Sequence, residues 1–409
     1  MTARALPLLF TSRALSQTGT SLQGIAQSLI ILAIPGGDRL VGLVAVLPTV
    51  SVLLLGGVGG RLADRFSPRA VLLGTQPALA MIALGMGLGK PGDAGILAGV
   101  VLLNLVAALG TAAWQVLISG VTGDGRIRPG TIVNTVALDT GLIAGSLIAA
   151  PTITTLGTGG AFVLNAVSYA VPTIVLLLLP DARRTVTPRA FTARQLLAGL
   201  IRDREVVTVT VAATAAALVG TSLPTLLLLL VHHERATDVA VYGLFLGAMS
   251  AGSLIGGILT WRWRSSVRTV RIEAAALGVL VLAVAVASGT IVTAALLLPV
   301  GFLFLTLRAG VTTFIQQRAP AGGQATAVAL LSLVLAGAQI VGTTGFTFLA
   351  AVLGVRHTIA VAGALLLLAV LAVLTVVAVL GRRHGNRDRP APAARVPAGR
   401  RGGGPRVRG

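Results

Sequence analysis

Stretches of about 20 mostly apolar residues, the length that crosses a bilayer as a helix, recur twelve times along these 409 residues. They fall near residues 13–34, 40–58, 70–89, 94–118, 130–154 and 161–179, then 206–231, 240–260, 273–289, 291–315, 324–353 and 357–380. The chain is 55% hydrophobic and only 11% charged, whereas soluble domains carry about a quarter charged residues. In hydrocarbon each backbone polar group must be satisfied within the structure, so helices are expected throughout. The fold class read from this is an all-α membrane protein. The first stretch is too long and too polar-spotted to be a cleavable signal peptide.

The basic residues test this topology. Odd-numbered connections hold only Arg39, Lys90, Arg235 and Arg356, so 28 of the 32 basic residues fall at the N-terminus, in even-numbered connections or in the tail after Gly381. The positive-inside bias then places both termini and every even connection in the cytoplasm of a cell with this protein in its inner (plasma) membrane. An odd number of crossings would scramble that sorting. The formal charge of +20 is thus a topology signal that also attracts anionic headgroups of membrane lipids. It is not a nucleic-acid surface, because no aromatic-interleaved basic face accompanies it. With no cysteines there are no disulfides or thiolate sites, and His232, His233, His357 and His384 lack ligand spacing. No metal and no cofactor are expected. There is no Walker A run for ATP, and the 12 acids form no nucleophile–base set, which argues against an enzyme.

The chain divides into an N-terminal six-helix bundle (1–180), a linker (181–205), a C-terminal six-helix bundle (206–380) and a disordered Arg/Gly/Pro-rich tail (381–409). Within the linker, residues 191–202 have apolar positions at helical spacing and are expected to lie on the membrane surface. Gly257–Arg262, after the eighth stretch, echoes Gly60–Arg65 after the second, with Trp261 in the place of Asp64. Duplicated halves of this kind bind cargo at their interface near the membrane midplane. Polar residues are concentrated on particular stretches. The first carries Arg13, Ser16, Thr20, Gln23 and Gln27 at steps of three and four, one face of a helix. Isolated Ser and Thr are explained by helix glue or backbone bonding, but long amides point to water. The expected cavity is lined by the first, fourth, fifth, seventh, tenth and eleventh stretches, with Gln23, Gln27, Asn104, Trp114, Gln115, Gln316 and Gln339 as contacts. Asp139 lies roughly 16 Å along a helix from Arg128. An acid at that depth is costly. It is suited to carry a proton or to meet a cation, or else it is a partly hydrated acid bonded to a neighbouring Thr or Gln.

Between the second and third stretches sits the charged hinge Gly60-Arg61-Leu62-Ala63-Asp64-Arg65-Phe66-Ser67-Pro68-Arg69. It resembles the signature loop of the major facilitator superfamily, G-x-L-a-D-R-x-G-R-[KR], at Gly60, Leu62, Asp64, Arg65 and Arg69, with Ser67 in place of glycine and Pro68 in place of a basic residue. Ala161–Tyr169 is similar to the A-F-x-x-N-A-x-S-[FY] run of exporter-like members, which include enterobactin exporters and macrolide-efflux proteins. Gln316–Pro320 is similar to their Q-x-x-x-P turn. The resemblance implies twelve transmembrane helices in two pseudo-symmetric six-helix bundles that rock about a central site. It also implies a conformational latch at Gly60, Asp64, Arg65 and Arg69, with Asp124 a candidate to join the charge cluster. Two features depart from proton-coupled drug antiporters: Asn104–Gly110 has no basic residue, and the Gly-Pro signature of the fifth stretch is reduced to Gly145-Ser146. The expected activity is secondary, proton-coupled export of a small amphipathic organic molecule by a monomer, with Asp139 as the coupling candidate. The alternatives are a facilitator or importer and, remotely, a membrane scaffold or enzyme.

Overall fold

The computed structural model describes residues 5–89, 91–121, 127–178, 193–234, 238–259, 266–320 and 323–385. Every regular element among the described residues is an α-helix. In order they are α1 (Ala5–Ala33), α2 (Gly37–Phe66), α3 (Pro68–Gly89), α4 (Asp93–Val121), α5 (Ile127–Leu178), α6 (Ala193–Arg202) and α7 (Arg204–Gly220). Then come α8 (Leu223–Glu234), α9 (Val239–Leu259), α10 (Val267–Val286), α11 (Thr290–Arg318), α12 (Gln324–Leu353) and α13 (Val355–Gly385). Ten stretches among the described residues are long and apolar enough to cross a membrane.

That count is compatible with twelve crossings. The 52 residues of α5 would reach about 78 Å as one straight rod, more than twice the hydrocarbon thickness of about 30 Å. The helix turns at Gly157, whose φ of 72° and ψ of 176° are not helical and suit glycine. Its two arms, 127–156 and 158–178, match the fifth and sixth expected stretches. Helix α1, rich in Ser, Thr and Gln, falls outside the ten, although its 29 residues are ample. The seventh stretch is split into α7 and α8 at Thr221-Ser222. Helices run several residues past the expected boundaries, α1 starting at Ala5 through the apolar residues 5–10 and α2 continuing through the charged segment to Phe66. Residues 381–385, expected to open the disordered tail, continue α13 to Gly385; the Trp261 echo and the rest of the tail lie outside the described residues.

Packing displays the internal repeat more clearly than the sequence does. In the first half, Gly141 and Gly145 of α5 press on the Ala14 and Thr18 carbonyls of α1. In the second half, Gly342 of α12 presses on the Leu218 carbonyl of α7. Likewise Gly59 of α2 meets Leu109 of α4, and Gly252 of α9 meets Leu298 of α11. Gly87 of α3 lies against Gly159 in the second arm of α5, as Gly278 of α10 lies against Gly363 of α13. A β-carbon at any of these positions would collide with its neighbour, so small residues set the backbone separation. The halves meet through the same exchange: Gly42 of α2 on Thr347 of α12, and Gly243 of α9 on the Ser146 carbonyl of α5.

The connections sort onto two ends. Arg356 at the start of α13 binds Glu234 at the end of α8 and the Ala285 and Ala287 carbonyls ending α10. This end gathers odd connections. At the other end, Arg69 reaches the last turn of α5, and Arg318 closing α11 reaches Asp203 and Glu205 at the start of α7. Among the described residues, the ion contacts and tight backbone approaches between the halves lie toward the odd end.

Candidate functional site

The signature hinge is a helix–helix corner. Helix α2 continues through Phe66, and Ser67 turns the chain with φ 81° and ψ 148°, the one positive φ at a non-glycine among the described residues. A side chain there is strained, which is why glycine is the usual occupant. Serine gives something in return: its hydroxyl accepts from the Ala70 N–H at 3.3 Å, capping α3. Pro68 follows at the first helical position, where its missing N–H costs nothing. The two departures from the signature therefore act together as a helix start. Arg69 donates to the Leu176 carbonyl at 2.7 Å and the Leu177 carbonyl at 3.1 Å. A cation at a helix C-terminus complements the helix dipole, and this contact stays within the first half. Arg65 is exposed and stacks 5.2 Å from the Phe66 ring. Gly60 lies inside α2 with open space where a β-carbon would stand. Asp64 belongs to α2, its side chain lies outside the described set, and Asp124 lies outside the described residues altogether.

The polar face of α1 meets its own half. Gln23 is buried, and its carbonyl oxygen accepts from the Asn165 amide at 2.6 Å. Ser168 donates to the other end of that amide at 2.9 Å. One turn earlier, the Thr20 and Tyr169 hydroxyls are 3.2 Å apart. Asn165, Ser168 and Tyr169 belong to the Ala161–Tyr169 run, so the exporter-like motif is the partner surface of the α1 stripe. Farther toward the even end, the Arg13 guanidinium stacks 4.9 Å from the Trp114 ring of α4. The Arg13 Nε–H and Trp114 Nε1–H are buried without an acceptor among the described residues. Both groups can only donate, so what suits them is a carbonyl, carboxylate or other acceptor. Arg13 was read from the sequence as part of a stripe, but nothing there paired it with Trp114.

The other expected contacts are more dispersed. Gln27 is half-buried one turn beyond Gln23, and the Asn104 amide donates to its own helix at Val100. Gln316 of α11 and Gln339 of α12 are half-buried in the second half. No hydrogen bond among the described residues joins them to the first-half amides. Gln115 and Asp139 sit within α4 and α5, with side chains outside the described set.

Two features escaped sequence reading. The first is the break in the seventh stretch. The Ser222 hydroxyl donates back to the Leu218 and Val219 carbonyls, satisfying groups that the break frees, and the Thr221 hydroxyl joins its own N–H on the Ala217 carbonyl. Of the span's most apolar window 72% is buried, against 22–44% in the other nine, so this is the innermost helix of the ten, and it is broken near mid-length. Gly220 and Pro224 were the available signal. The second is Glu273 in α10, a buried carboxylate beside the Thr306 hydroxyl of α11. It opens the ninth apolar stretch, 273–289, and nothing in the sequence marks it as buried against α11.

At the even end, Asp203 caps α7 by accepting from the Glu205 and Val206 N–H groups while binding Arg318 at 2.5 Å. Partial desolvation raises the Asp203 carboxyl, but Arg318 and the two backbone donors outweigh it and hold it below the ordinary carboxylate value. A groove of about 450 Å³ adjoins this cluster, lined by Gln195, Leu196 and Leu200 of α6 with Asp203 and Arg318. It lies at the surface of the bundle, away from the polar core of α1.

The profile of the family described as transmembrane secretion effector matches residues 1–390. No curated protein sequence is significantly similar to the chain. Among solved structures, it is similar to a bacterial homologue of the human lysosomal transporter Spinster in an inward-facing and occupied conformation. That match has 14% identity and a TM-score of 0.70, covering 95% of this chain and 98% of the other. A peptide transporter of the POT family, in complex with a thioalcohol-conjugated peptide, matches at 11% identity and TM-score 0.70, over 91% and 96% of the two chains. The nucleoside transporter NupG matches at 12% identity and TM-score 0.69, over 90% and 99%. At these identities the likeness is one of fold.

Proposed function

The chain belongs to the transmembrane secretion effector family, membrane transporters of the major facilitator type, and from that premise we propose that it exports a small amphipathic organic molecule in exchange for protons. The match over residues 1–390 carries the proposal. Secretion in the family's description supports the outward direction, and the arginine sorting supports cytoplasmic termini in the inner (plasma) membrane. On that orientation the halves touch toward the external side, an inward-facing arrangement. Cargo enters between the bundles 1–180 and 206–380 from the cytoplasm, where Arg13 and Trp114 offer donors to its acceptor groups. Gln23, Gln27, Asn104, Gln115, Gln316 and Gln339 supply further polar contact, and the broken α7–α8 helix supplies a mobile wall. Asp64, Arg65, Arg69 and Asp124 form the latch that closes the even end when the halves rock. Asp139 carries the proton.

The test is a resistance and accumulation screen in cells stripped of their own efflux pumps. Expression should lower the intracellular level of at least one amphipathic compound, and lowering must disappear when the proton gradient is collapsed. A facilitator or importer is the second reading, favoured by the absence of a basic residue in Asn104–Gly110. Counterflow of labelled cargo without a pH gradient, at a rate no gradient changes, would establish that reading instead.

A further inference from the structure

At the odd end, a histidine pair faces a carboxylate across the boundary between the halves. His232 Nε2 lies 3.7 Å from Asp38 Oδ1, and His233 Nε2 lies 3.5 Å from Asp38 Oδ2. The two rings are edge to face with centroids 5.2 Å apart. Asp38 stands in the first turn of α2, and the histidines end α8. The Gly42–Thr347 and Gly243–Ser146 approaches lie toward the same end. We propose that His232, His233 and Asp38 form a proton-operated gate that holds this end of the two halves shut when the surrounding solution is acidic. The gate depends neither on the cargo nor on the direction of transport.

The tautomer of His233 supplies the switch. Its Nδ1 lies 2.8 Å from the Leu229 carbonyl oxygen, which can only accept, so the neutral ring carries its hydrogen on Nδ1. Neutral His233 therefore turns the lone pair of Nε2 toward a carboxylate oxygen, a contact that holds nothing. Protonation converts Nε2 into a donor and the contact into a charge-assisted hydrogen bond. That bond can form only while Asp38 of one half stands beside the histidines of the other, so protonating the pair favours closure at this end and deprotonating it releases the contact.

Among the described residues, the other titratable groups packed around α8 are Glu234, Arg356, His357, Asp238, Arg39 and Tyr242, whose hydroxyl donates to the Pro224 carbonyl. Glu234 on the same helix is held by Arg356 of α13, where His357 follows. Asp238 caps α9 through the Ala240 and Val241 N–H groups. Arg39 of α2 is exposed beside Asp38. Helix α12 carries no titratable side chain, and Arg204 and Glu205 of α7 lie at the opposite end. Among the described residues, Asp38 is the carboxylate within 4 Å of both imidazoles.

The chain has no cysteine, so a label pair can be introduced directly. Leu88 on α3 and Val352 on α12, both at this end and 66% and 80% exposed, become spin-labelled in the Leu88→Cys/Val352→Cys protein in lipid nanodiscs. Double electron–electron resonance should show the short-distance fraction, relative to the long, rising about two- to tenfold from pH 8 to pH 5.5, the range two half-exposed ion pairs support. That rise should vanish in His232→Gln/His233→Gln and, separately, in Asp38→Asn, while the pH 8 distribution reports that each variant is folded. An unchanged background-variant distribution, opening on acidification, or the same rise in both variants overturns the proposal.

Discussion

Ser67 and Arg318 show how single side chains fix the ends of helices here. Ser67 combines a backbone conformation that glycine would adopt freely with a hydroxyl that caps α3. Ser67→Ala keeps the strain and loses the cap, and should destabilise by about 1 kcal/mol. Ser67→Gly loses little as a cap and relieves the strain, so its thermal midpoint should equal or exceed that of the parent; calorimetry or a thermal-shift assay in detergent orders the three proteins. Arg318 joins the end of α11 to Asp203 and Glu205. Because the folded-state value of Asp203 is depressed, its contribution is present above the ordinary carboxylate range, about pH 4, and is lost as pH falls through the folded value. Protection factors of the first-turn amides of α7, corrected for intrinsic exchange at each pH, should therefore fall in acid in the parent, and Arg318→Gln should show the lowered protection already at pH 7.

Helix-scale packing rests on small residues, and it gives a test of how the halves meet. Gly243→Leu would place a side chain against the Ser146 carbonyl of the opposite half. It should widen the Leu88–Val352 label distance at every pH and slow transport. Gly74→Leu, where a β-carbon meets open space, should do neither. Apolar length and the arginine sorting made the helices legible in the sequence, because membrane thickness and charge act on each stretch separately. The polar face of α1 was legible for the same reason, since it is a property of one helix. Its destination was not: Gln23 finds Asn165 across 142 positions, and periodicity carries no information about a partner. The break at Thr221-Ser222 was hidden because Thr and Ser occur routinely inside such helices, and only the backbone shows that these two interrupt it. The approach of Arg13 to Trp114 likewise depends on how α1 and α4 pack.

At the scale of the whole molecule, two halves built on the same glycine contacts touch toward one end, and the proposed transport cycle exchanges that contact for one at the other. Such a machine does directional work only if a second gradient biases the exchange, and the proposed source of that bias is a proton carried by Asp139. Arg13→Gln should weaken transport of acceptor-bearing cargo by about tenfold or more through its apparent affinity, with Arg13→Lys intermediate, as kinetic assays on the same vesicles would show. The direct test uses inside-out membrane vesicles holding an acid interior, with a pH-sensitive dye inside and a panel of amphipathic cations, zwitterions and anions added outside. At least one compound should dissipate the gradient with the parent protein and none should do so with Asp139→Asn, whereas Glu273→Gln should retain the response. Full dissipation by Asp139→Asn, or uptake of a compound by the parent with the gradient unmoved, would contradict proton-driven export through this residue.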